Sequence, residues 1–310
     1  MSSAAIHNRG ALHSAFYHAR TLFLFTSDQL LDTVFPGTVF GTLAAISGPV
    51  LRLPHQDILT VFQRLPVVWF WLWLIILQFC LHNQRHTESV DEDAINKPWR
   101  PIPSKRIDQE QAKYLLMATY FVTGIVSYYL SVLPIFVAWS VLATGYNDFG
   151  GGDYSGIVRN LFCGAFFSCS FGGALSIALG PHSMSYAAWQ WTFLVTLGII
   201  TTTIQTQEFR DEIGDKARGR RTIPIEMGRK PALVTVIATV AFWSVYAPLG
   251  FLASGWKAGL MSVAIGGWLV AIALSAMGGH DPRRDRKMYK VWCLWICACC
   301  GLPAMAGAFP

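Results

Sequence analysis

Residues 67–103 carry the sequence VVWFWLWLIILQFCLHNQRHTESVDEDAINKPWRPIP, in which an apolar run is followed by four carboxylates and then by prolines. Extended to residues 64–85, the run is long enough to cross a bilayer core of roughly 30 Å as a helix. Similar runs recur along the chain, and 53% of the 310 residues are hydrophobic whereas only 14% are charged. Since ordinary soluble domains carry about 25% charged residues, the sequence predicts an all-α, polytopic membrane protein in a lipid bilayer.

The apolar runs, and the polar, glycine or proline breaks between them, predict nine transmembrane helices. We place these helices at residues 30–51, 64–85, 109–130, 132–147, 158–179, 184–209, 230–253, 256–277 and 287–308. The seven cysteines all fall inside apolar stretches, which excludes a small disulfide-linked secreted domain. No apolar signal-peptide core precedes Thr21, so we expect insertion through the first span.

The positions of lysine and arginine predict which face each loop occupies, because basic residues concentrate in cytosolic loops. With nine spans, 21 of the 24 basic residues fall on the side of the N-terminus, and only Arg52, Arg64 and Lys257 fall on the other. The polar loops after the second and sixth spans are therefore predicted to be cytosolic. This asymmetry accounts for the net charge of +6, so the charge does not indicate a nucleic-acid partner.

Two dense acidic clusters follow the second and the sixth span. In the later cluster, Gln207, Asp211 and Asp215 are spaced by four residues, which places them on one face of a helix that continues out of the membrane. Two carboxylates on one face can share a hard cation. Mg²⁺ accepts a few carboxylate oxygens and keeps its other positions for water and phosphate oxygens. The cluster therefore indicates a metal site that receives a phosphate-bearing ligand.

In the earlier cluster, Asn83, Thr87 and Asp91 have the same four-residue spacing, and two more carboxylates follow directly. Prolines then stop the helix. Both clusters end in an Arg-x-Ile-Pro tetrapeptide, at residues 100–103 and at residues 221–224. This similarity is a weak internal repeat and predicts related roles for the two clusters.

Three plainer interpretations compete with a ligand site. In the first, the clusters are solvated loops that only help to set the topology. In the second, their acidic and basic residues only form ion pairs with one another. The third interpretation is a transporter of an anionic lipid or metabolite, whose site would be expected near the bilayer midplane rather than beyond the ends of the spans. Solubility alone does not require the matched spacing, so we favour the ligand site.

With these motifs, the chain resembles the UbiA superfamily of intramembrane prenyltransferases over nearly its whole length. That family has nine transmembrane helices around a central cavity. An Asn-Asp-x-x-Asp-x-x-x-Asp motif after the second helix and an Asp-x-x-x-Asp motif after the sixth bind Mg²⁺ and the diphosphate of an isoprenoid. Residues 211–215 and 219–224 are similar to the later motif, residues 96–103 resemble the end of the earlier one, and residues 146–147 and 159–160 resemble a further polar stretch.

The earlier motif departs from the family pattern and aligns in two ways. Counted forward from Asn83, Thr87 replaces the first spaced Asp and Asp91 fills the last position. Counted back from Asn96, Asp93 fills that last position and two residues are inserted. The metal ligands of this motif are therefore expected to be a subset of its Asn, Asp and Glu residues.

The resemblance implies three groups of site residues. The expected catalytic residues are Asp211, Asp215, Asn83 and Asp91. The expected metal ligands are Asn83, Glu88, Asp91, Glu92, Asp93, Asp211 and Asp215. The expected diphosphate-binding residues are Lys97, Arg100, Arg159, Lys216, Arg220 and Tyr146.

The resemblance also implies a Mg²⁺-dependent enzyme that ionises an isoprenyl diphosphate such as farnesyl diphosphate. In a terpene cyclase, the double bonds of the chain itself capture the allylic cation, whereas in a prenyltransferase an aromatic or other acceptor captures it. The altered earlier motif resembles a fungal branch of the family that includes membrane-bound terpene cyclases. We therefore expect a cyclase and keep the prenyltransferase as the alternative.

The cation requires a dry cavity with aromatic walls. However, aromatic residues that face lipid occur in the same apolar runs, so no single aromatic residue is assigned.

We expect one integral membrane domain over residues 1–310, with polar cytosolic caps near residues 84–108 and 208–229. A fungal source would place it in the membrane of the endoplasmic reticulum, and the sequence does not specify an oligomeric state. A further Asp-x-x-x-Asp pair, Asp28 and Asp32, lies near the start of the first span. One interpretation is a third metal site, and the one we favour is capping and interfacial placement at a helix start.

Overall fold

The chain is described by a computed structural model over residues 3–309, with side chains described from His13 onward. Every regular element in this range is helical, and no strand occurs in it. The α-helices are α1 (Ser3–Thr26), α2 (Phe35–Ile46), α3 (Ile58–Gln84), α4 (Thr87–Asn96), α5 (Gln109–Tyr129), α6 (Leu133–Asn147), α7 (Gly151–Tyr154), α8 (Gly156–Leu179), α9 (Tyr186–Phe193), α10 (Thr201–Thr203), α11 (Glu208–Arg218), α12 (Ile223–Glu226), α13 (Arg229–Val245), α14 (Leu260–Ala276), α15 (Pro282–Cys300) and α16 (Leu302–Ala308). The all-α prediction is confirmed for this range.

Short π and 3₁₀ turns link several of these helices without ending the helical path. The π turns are Leu30–Val34, Leu194–Ile200 and Tyr246–Phe251, and the 3₁₀ turns are Gly48–Leu51, Ile204–Gln207 and Trp256–Gly259. Because of two such turns, α9, α10 and α11 form one helical path of 33 residues. At about 1.5 Å per residue this path exceeds the roughly 30 Å bilayer core. The prediction that the sixth helix continues beyond the apolar region is confirmed.

By length and composition, fewer helices qualify as membrane spans than the sequence predicts. Five helices in the described range qualify as membrane spans, and seven qualify when two bent helix pairs each count as one span. A helix lies at each of the nine predicted positions. However, α6 has 15 residues, or about 22 Å, and α5 begins with a polar turn, Gln109–Lys113. The prediction of nine transmembrane helices is therefore not confirmed.

The helix α1 precedes the first predicted span and was not predicted from the sequence. The segment His13–Thr26 meets the segment Leu30–Ile46 at an angle of 67°. The expected cap at this junction is also absent: neither the π turn nor α2 has a side-chain cap, and Asp32 is buried instead of interfacial. The interpretation of Asp32 as a capping residue is therefore wrong.

At the centre of the bundle lies α8, which packs against α2, α3 and α6. Small residues allow this close approach, as is common between membrane helices. A Cβ atom at Gly173 of α8 would lie 2.2 Å from the ring of Trp71, and one at Gly41 of α2 would lie 2.7 Å from the backbone of Ala174. Both glycines are therefore required by packing.

Tryptophan indoles join the helices through hydrogen bonds that satisfy buried polar groups. Trp71 Nε1 donates to Ser127 Oγ at 2.9 Å, Trp292 Nε1 to Thr203 Oγ1 at 3.0 Å, and Trp295 Nε1 to Ser244 Oγ at 2.9 Å. Each bond joins two different helices. Several of the aromatic residues therefore hold the bundle together rather than face lipid.

Candidate active site

A cavity that is partly open to solvent lies where α3, α4, α6, α8 and α11 approach one another. Its charged and polar wall consists of Gln29, Asp32, Thr33, Asn83, Glu92, Lys97, Arg100, Arg159, Gln207, Arg210, Asp211 and Arg220. Its remaining wall consists of Ile76, Phe79, Trp139, Tyr146, Cys163, Phe166, Phe167, Ser170 and Ile204. Within α8, Arg159 lies in the first turn and Phe166 two turns deeper, so the polar and aromatic ends are separated along the helices.

The earlier carboxylate cluster lies on α4, which does not continue α3. The helix α3 ends at Gln84, and His86 adopts an extended conformation before α4 begins. The four-residue spacing of Asn83 and Asp91 therefore does not place them on one helix face. Within α4, Asp91 is exposed and Glu92 is buried in the cavity wall.

The remaining carboxylates of this cluster also separate. Glu88 is exposed and does not line the cavity. Asp93 is buried and accepts two hydrogen bonds from Arg100 Nη1, at 2.9 and 2.8 Å. Asp93 therefore orients a cavity arginine, whereas Glu92 itself faces the cavity. Of the five predicted ligands on this segment, only Asn83 and Glu92 lie in the cavity wall.

The later cluster lies on α11, where Asp211 and Asp215 are one turn apart. Asp211 lines the cavity, and Lys97 Nζ donates to its Oδ2 at 3.0 Å. Asp215 is buried behind it, with Oδ1 3.4 Å from Arg220 Nη1. Within the part of the chain that the structure describes, its Oδ2 has no hydrogen-bond partner. The predicted shared helix face is present, although Gln207 lies in the preceding 3₁₀ turn.

Arg220 is the residue that brings the two clusters together. Its Nη1 donates to Glu92 Oε1 of α4 at 3.0 Å and lies near Asp215 of α11, and its Nε donates to Asp153 Oδ1 at 3.0 Å. Arg218 makes a parallel set of bonds, to Glu92 Oε2 at 3.0 Å and to Asp153 Oδ2 at 2.8 Å. These bonds fix α4 against α11 at the mouth of the cavity.

The neighbouring cations keep Glu92 ionised. Burial acts to raise the pKa of its carboxyl, but Arg220, Lys97 and Arg218 act in the opposite direction and leave the pKa below its ordinary value. Asp153 has its pKa lowered in the same way, since Arg220 and Arg218 outweigh its partial burial. Both groups are therefore carboxylates at neutral pH, as a hard cation requires.

The basic residues predicted to bind diphosphate do not all face the cavity. Lys97, Arg100, Arg159 and Arg220 line it, as does Tyr146. Lys216 does not: its side chain is 59% exposed and pairs with Glu212 at 2.6 Å. At one residue past Asp215 on a regular helix, Lys216 is turned about 100° away from the metal-binding face.

Two cavity residues were missed or misinterpreted in the sequence. Arg210 lines the cavity, and its guanidinium carbon lies 3.6 Å from the centre of the Tyr289 ring. The sequence pattern indicates Arg210 only as one of the basic residues that set the topology. For Asp32, the position inside an apolar run is the signal that favours a site over a cap, because an ionisable side chain in a span usually marks a site.

The aromatic end of the cavity is a cluster of rings in mutual contact. The ring of Phe166 has its centre 5.1 Å from that of Phe79, 5.6 Å from that of Trp139 and 5.7 Å from that of Tyr146, with edge-to-face geometry. Such a wall excludes water and presents ring faces that attract positive charge. It is suited to an apolar chain that develops a cation.

The polar end is suited to a divalent cation and an anionic ligand. In the described residues no three His, Cys, Asp or Glu side chains converge on one point. The fit instead rests on oxygen donors from two helices, on the unpartnered Oδ2 of Asp215, and on the unpartnered Nη1 of Arg159. Five cations and three carboxylates line the cavity. Arg100 and Arg159 also pair with the buried Asp93 and Glu208, so these cations are held in place beside the cavity.

Comparisons with known proteins agree with this arrangement. The model of the UbiA prenyltransferase family matches residues 34–294. The fumagillin beta-trans-bergamotene synthase of Aspergillus fumigatus is 28% identical over 284 residues, covering 89% of each chain. The somaliensene A/B synthase of Streptomyces somaliensis is 29% identical over 279 residues, covering 88% of each chain.

A solved structure has the same fold. A UbiA homolog from Archaeoglobus fulgidus bound to GPP and Mg²⁺ superposes with a TM-score of 0.62 at 13% identity, covering 91% of this chain and 98% of that one. At this identity the likeness concerns the fold alone. The bundle described above therefore has the architecture of that homolog.

Proposed function

The chain belongs to the UbiA prenyltransferase family, and we propose that it is a Mg²⁺-dependent terpene cyclase that acts on an isoprenyl diphosphate, with farnesyl diphosphate as the first candidate. The observation that supports this proposal most is the division of one cavity into a cationic and carboxylate-bearing end and an aromatic end. An isoprenyl diphosphate has the same division, between a highly charged head and an apolar chain.

The diphosphate would lie at the polar end, held by the cations of the wall. Lys97, Arg100, Arg159, Arg210 and Arg220 are the residues we assign to it. Lys97 and Arg100 follow α4, Arg159 lies on α8, and Arg210 and Arg220 lie on and just after α11, so the cations reach the cavity from three parts of the chain. Positive groups fixed in advance around a leaving group stabilise the negative charge that develops on it.

The metal would be held by oxygens of Glu92, Asp211 and Asp215, with Asn83 beside them. When bound, Mg²⁺ would neutralise diphosphate oxygens and make the diphosphate a better leaving group. Glu92 and Asp215 both contact Arg220. A ligand that binds Arg220 would therefore affect both carboxylate-bearing helices. Asp91, Glu88 and Lys216 are not part of this proposed site.

The isoprenoid chain would lie between the rings of the aromatic end. Phe79, Trp139, Tyr146 and Phe166 line this part of the cavity and exclude water, which would otherwise capture an allylic cation. Cyclisation requires that the chain be folded before ionisation, so the shape of this wall would determine the product. The bergamotene and somaliensene synthases, which match nearly the whole chain, favour a cyclase over other family activities.

A prenyltransferase is the second candidate, and one atom favours it. Trp139 Nε1 is buried in the cavity wall and has no hydrogen-bond partner among the described residues. A hydroxyl or carbonyl oxygen of an acceptor substrate would satisfy this donor, whereas a hydrocarbon chain would not. Under this alternative the polar end keeps the same role and the acceptor occupies part of the aromatic end.

We also propose a membrane and a topology for the protein. The described helices include five to seven apolar spans, so it is an integral membrane protein, and we propose nine spans in one domain with the polar caps in the cytosol. The endoplasmic reticulum is the proposed membrane. Labelling of single cysteines introduced at exposed positions near Glu88 and near Lys257 in sealed microsomes would test the topology, since the two sites should lie on opposite faces.

Analysis of the products formed with and without an acceptor decides between the cyclase and the prenyltransferase. Membranes that contain the protein are given farnesyl diphosphate and Mg²⁺ without an acceptor, and the organic extract is analysed by gas chromatography with mass detection. A terpene that is absent from empty membranes and from samples with EDTA supports the cyclase. A product that forms only when an aromatic acceptor is added supports the prenyltransferase, and uptake into vesicles without conversion supports a transporter.

A further inference from the structure

Asp32 is a carboxylate in the cavity wall that the proposed metal and diphosphate sites do not use. Its residue is 3% exposed, and it lies in the π turn Leu30–Val34 at the start of the first apolar run. Ionisable residues inside apolar spans are costly and usually functional. Single π turns within helices are likewise frequent at functional sites. Both features distinguish Asp32 from an interfacial or capping residue.

The partners of Asp32 are neutral hydrogen-bond donors. The hydroxyl of Thr33 donates to its Oδ1 at 2.9 Å, and the hydroxyl of Tyr289 donates to its Oδ2 at 3.0 Å. The side-chain amide of Gln29, with its nitrogen towards the carboxylate, lies 3.0 Å from both oxygens. No lysine or arginine in the described part of the chain forms an ion pair with it, although Arg210, stacked on Tyr289, acts on it through its charge.

The other two carboxylates of the cavity wall have different partners. Glu92 pairs with Arg220 and Asp211 pairs with Lys97, each at 3.0 Å. A carboxylate held by cations is a weak proton acceptor because protonation would break the ion pair. Asp32 has no such pair to lose. It is therefore the wall carboxylate best placed to accept a proton inside the cavity.

We propose that Asp32 accepts the proton that ends the cyclisation. The inference rests on the proposed function, since a cyclase must lose a proton from its final carbocation. The C–H bond beside the cationic carbon breaks, and its electron pair forms the new C=C bond. The proton passes to the carboxylate of Asp32, so a cation and a carboxylate become a neutral alkene and a neutral carboxylic acid.

Tyr289 would act as a positioning residue for this step. It belongs to α15, and its hydroxyl also lies 3.2 Å from the carbonyl oxygen of Asp28. Arg210 stacks over its ring and limits its movement. The hydroxyl therefore fixes the position of Oδ2.

The test compares two quantities in the same incubation: the diphosphate released from farnesyl diphosphate and the hydrocarbon formed. The variant Asp32→Asn keeps the shape of the side chain and removes the proton acceptor. We expect it to release diphosphate within about threefold of the parent rate, while the parent alkene falls by about tenfold or more. Hydroxylated or isomeric products should replace it. An unchanged product spectrum would overturn the proposal and leave the diphosphate as the acceptor.

Asp57→Asn is the matched control for the same chemical change. Asp57 is an exposed N-cap of α3, and Asn is an equally good N-cap residue, so the products should not change. If Asp32→Asn is not monodisperse in detergent, Asp32→Glu and Tyr289→Phe replace it, because both keep the acid and alter its position. Each should increase the share of side products while diphosphate release continues. Parent-like products from both variants would mean that Asp32 and Tyr289 only join two helices.

The outcomes separate this inference from the function on which it rests. A parent protein that forms no terpene without an acceptor overturns the cyclase proposal and the role of Asp32 with it. A parent that forms a terpene, together with an Asp32→Asn variant that forms the same terpene at the same rate, overturns the role of Asp32 alone.

Discussion

Asn96 at the end of α4 is joined to Gly214 in the middle of α11. Its Oδ1 accepts a hydrogen bond from the Gly214 N–H at 3.1 Å, and its Nδ2 donates to the carbonyl oxygen of Asp211 at 3.0 Å. A Cβ atom at Gly214 would lie 2.2 Å from Asn96 Nδ2. The two carboxylate-bearing helices therefore meet at a point where only glycine fits.

The substitution Gly214→Ala tests this contact. The added methyl group should displace Asn96, lower stability by about 1–3 kcal/mol as overpacking does, and lower turnover because α4 moves away from α11. Gly267→Ala is the control, since a Cβ atom there meets nothing within 4 Å. Thermal unfolding in detergent and diphosphate release would be measured for both. Parent-like activity in Gly214→Ala would show that the contact does not position the site.

The break between α3 and α4 predicts which carboxylate of the earlier cluster is functional. Glu92→Gln should reduce diphosphate release by at least about a hundredfold, because it removes a buried, ionised group from the polar end. Asp91→Asn should change the rate by less than about twofold, since exposed charges contribute little. The reverse order of effects would mean that the four-residue spacing, and not the observed helix break, determines the site.

Substitutions of Arg220 and of Lys216 should have different effects on the kinetic constants. Arg220→Ala should raise the KM for the diphosphate substrate and lower kcat, because it removes a cation from the cavity and leaves Glu92 and Asp215 without their shared partner. Lys216→Ala removes an exposed charge and should leave both constants nearly unchanged. Steady-state kinetics with a range of substrate concentrations would separate the two constants. Equal effects of the two substitutions would contradict the assignment.

The lowered pKa of Asp153 predicts how stability depends on pH. A group whose pKa is lower in the folded state stabilises that state above its unfolded pKa, which is 3.8, and loses this contribution as pH falls through the folded pKa. Asp153→Asn should therefore lower the unfolding temperature at neutral pH. The difference from the parent should shrink below about pH 4. A difference that is constant down to acid pH would show that the two arginines do not stabilise this carboxylate.

The sequence predicts the parts of this protein that depend on local patterns. Apolar runs place a helix at each predicted position, and the spacing of Asp211 and Asp215 correctly places them on one helix face. The prolines after Asn96 end α4 as expected. These features depend on neighbouring residues, so a single sequence contains them.

The parts that were missed depend on tertiary contacts. Nothing in the spacing of Asn83, Thr87 and Asp91 indicates that the helix ends at Gln84, and this break turns Glu92 instead of Asp91 into the cavity. Asp32 is buried because Tyr289, more than 250 positions later, donates to it. Long-range partners of this kind are not visible in a single sequence.

We propose that two carboxylate-bearing helices, acting together, ionise an isoprenyl diphosphate. This is tested by measuring the release of diphosphate from farnesyl diphosphate by the purified protein, without an acceptor, in the parent and in Asp215→Ala, each with Mg²⁺ and with EDTA. We expect release only by the parent with Mg²⁺, while Asp215→Ala remains expressed and monodisperse. Parent-like release by Asp215→Ala, or release in EDTA, would contradict it.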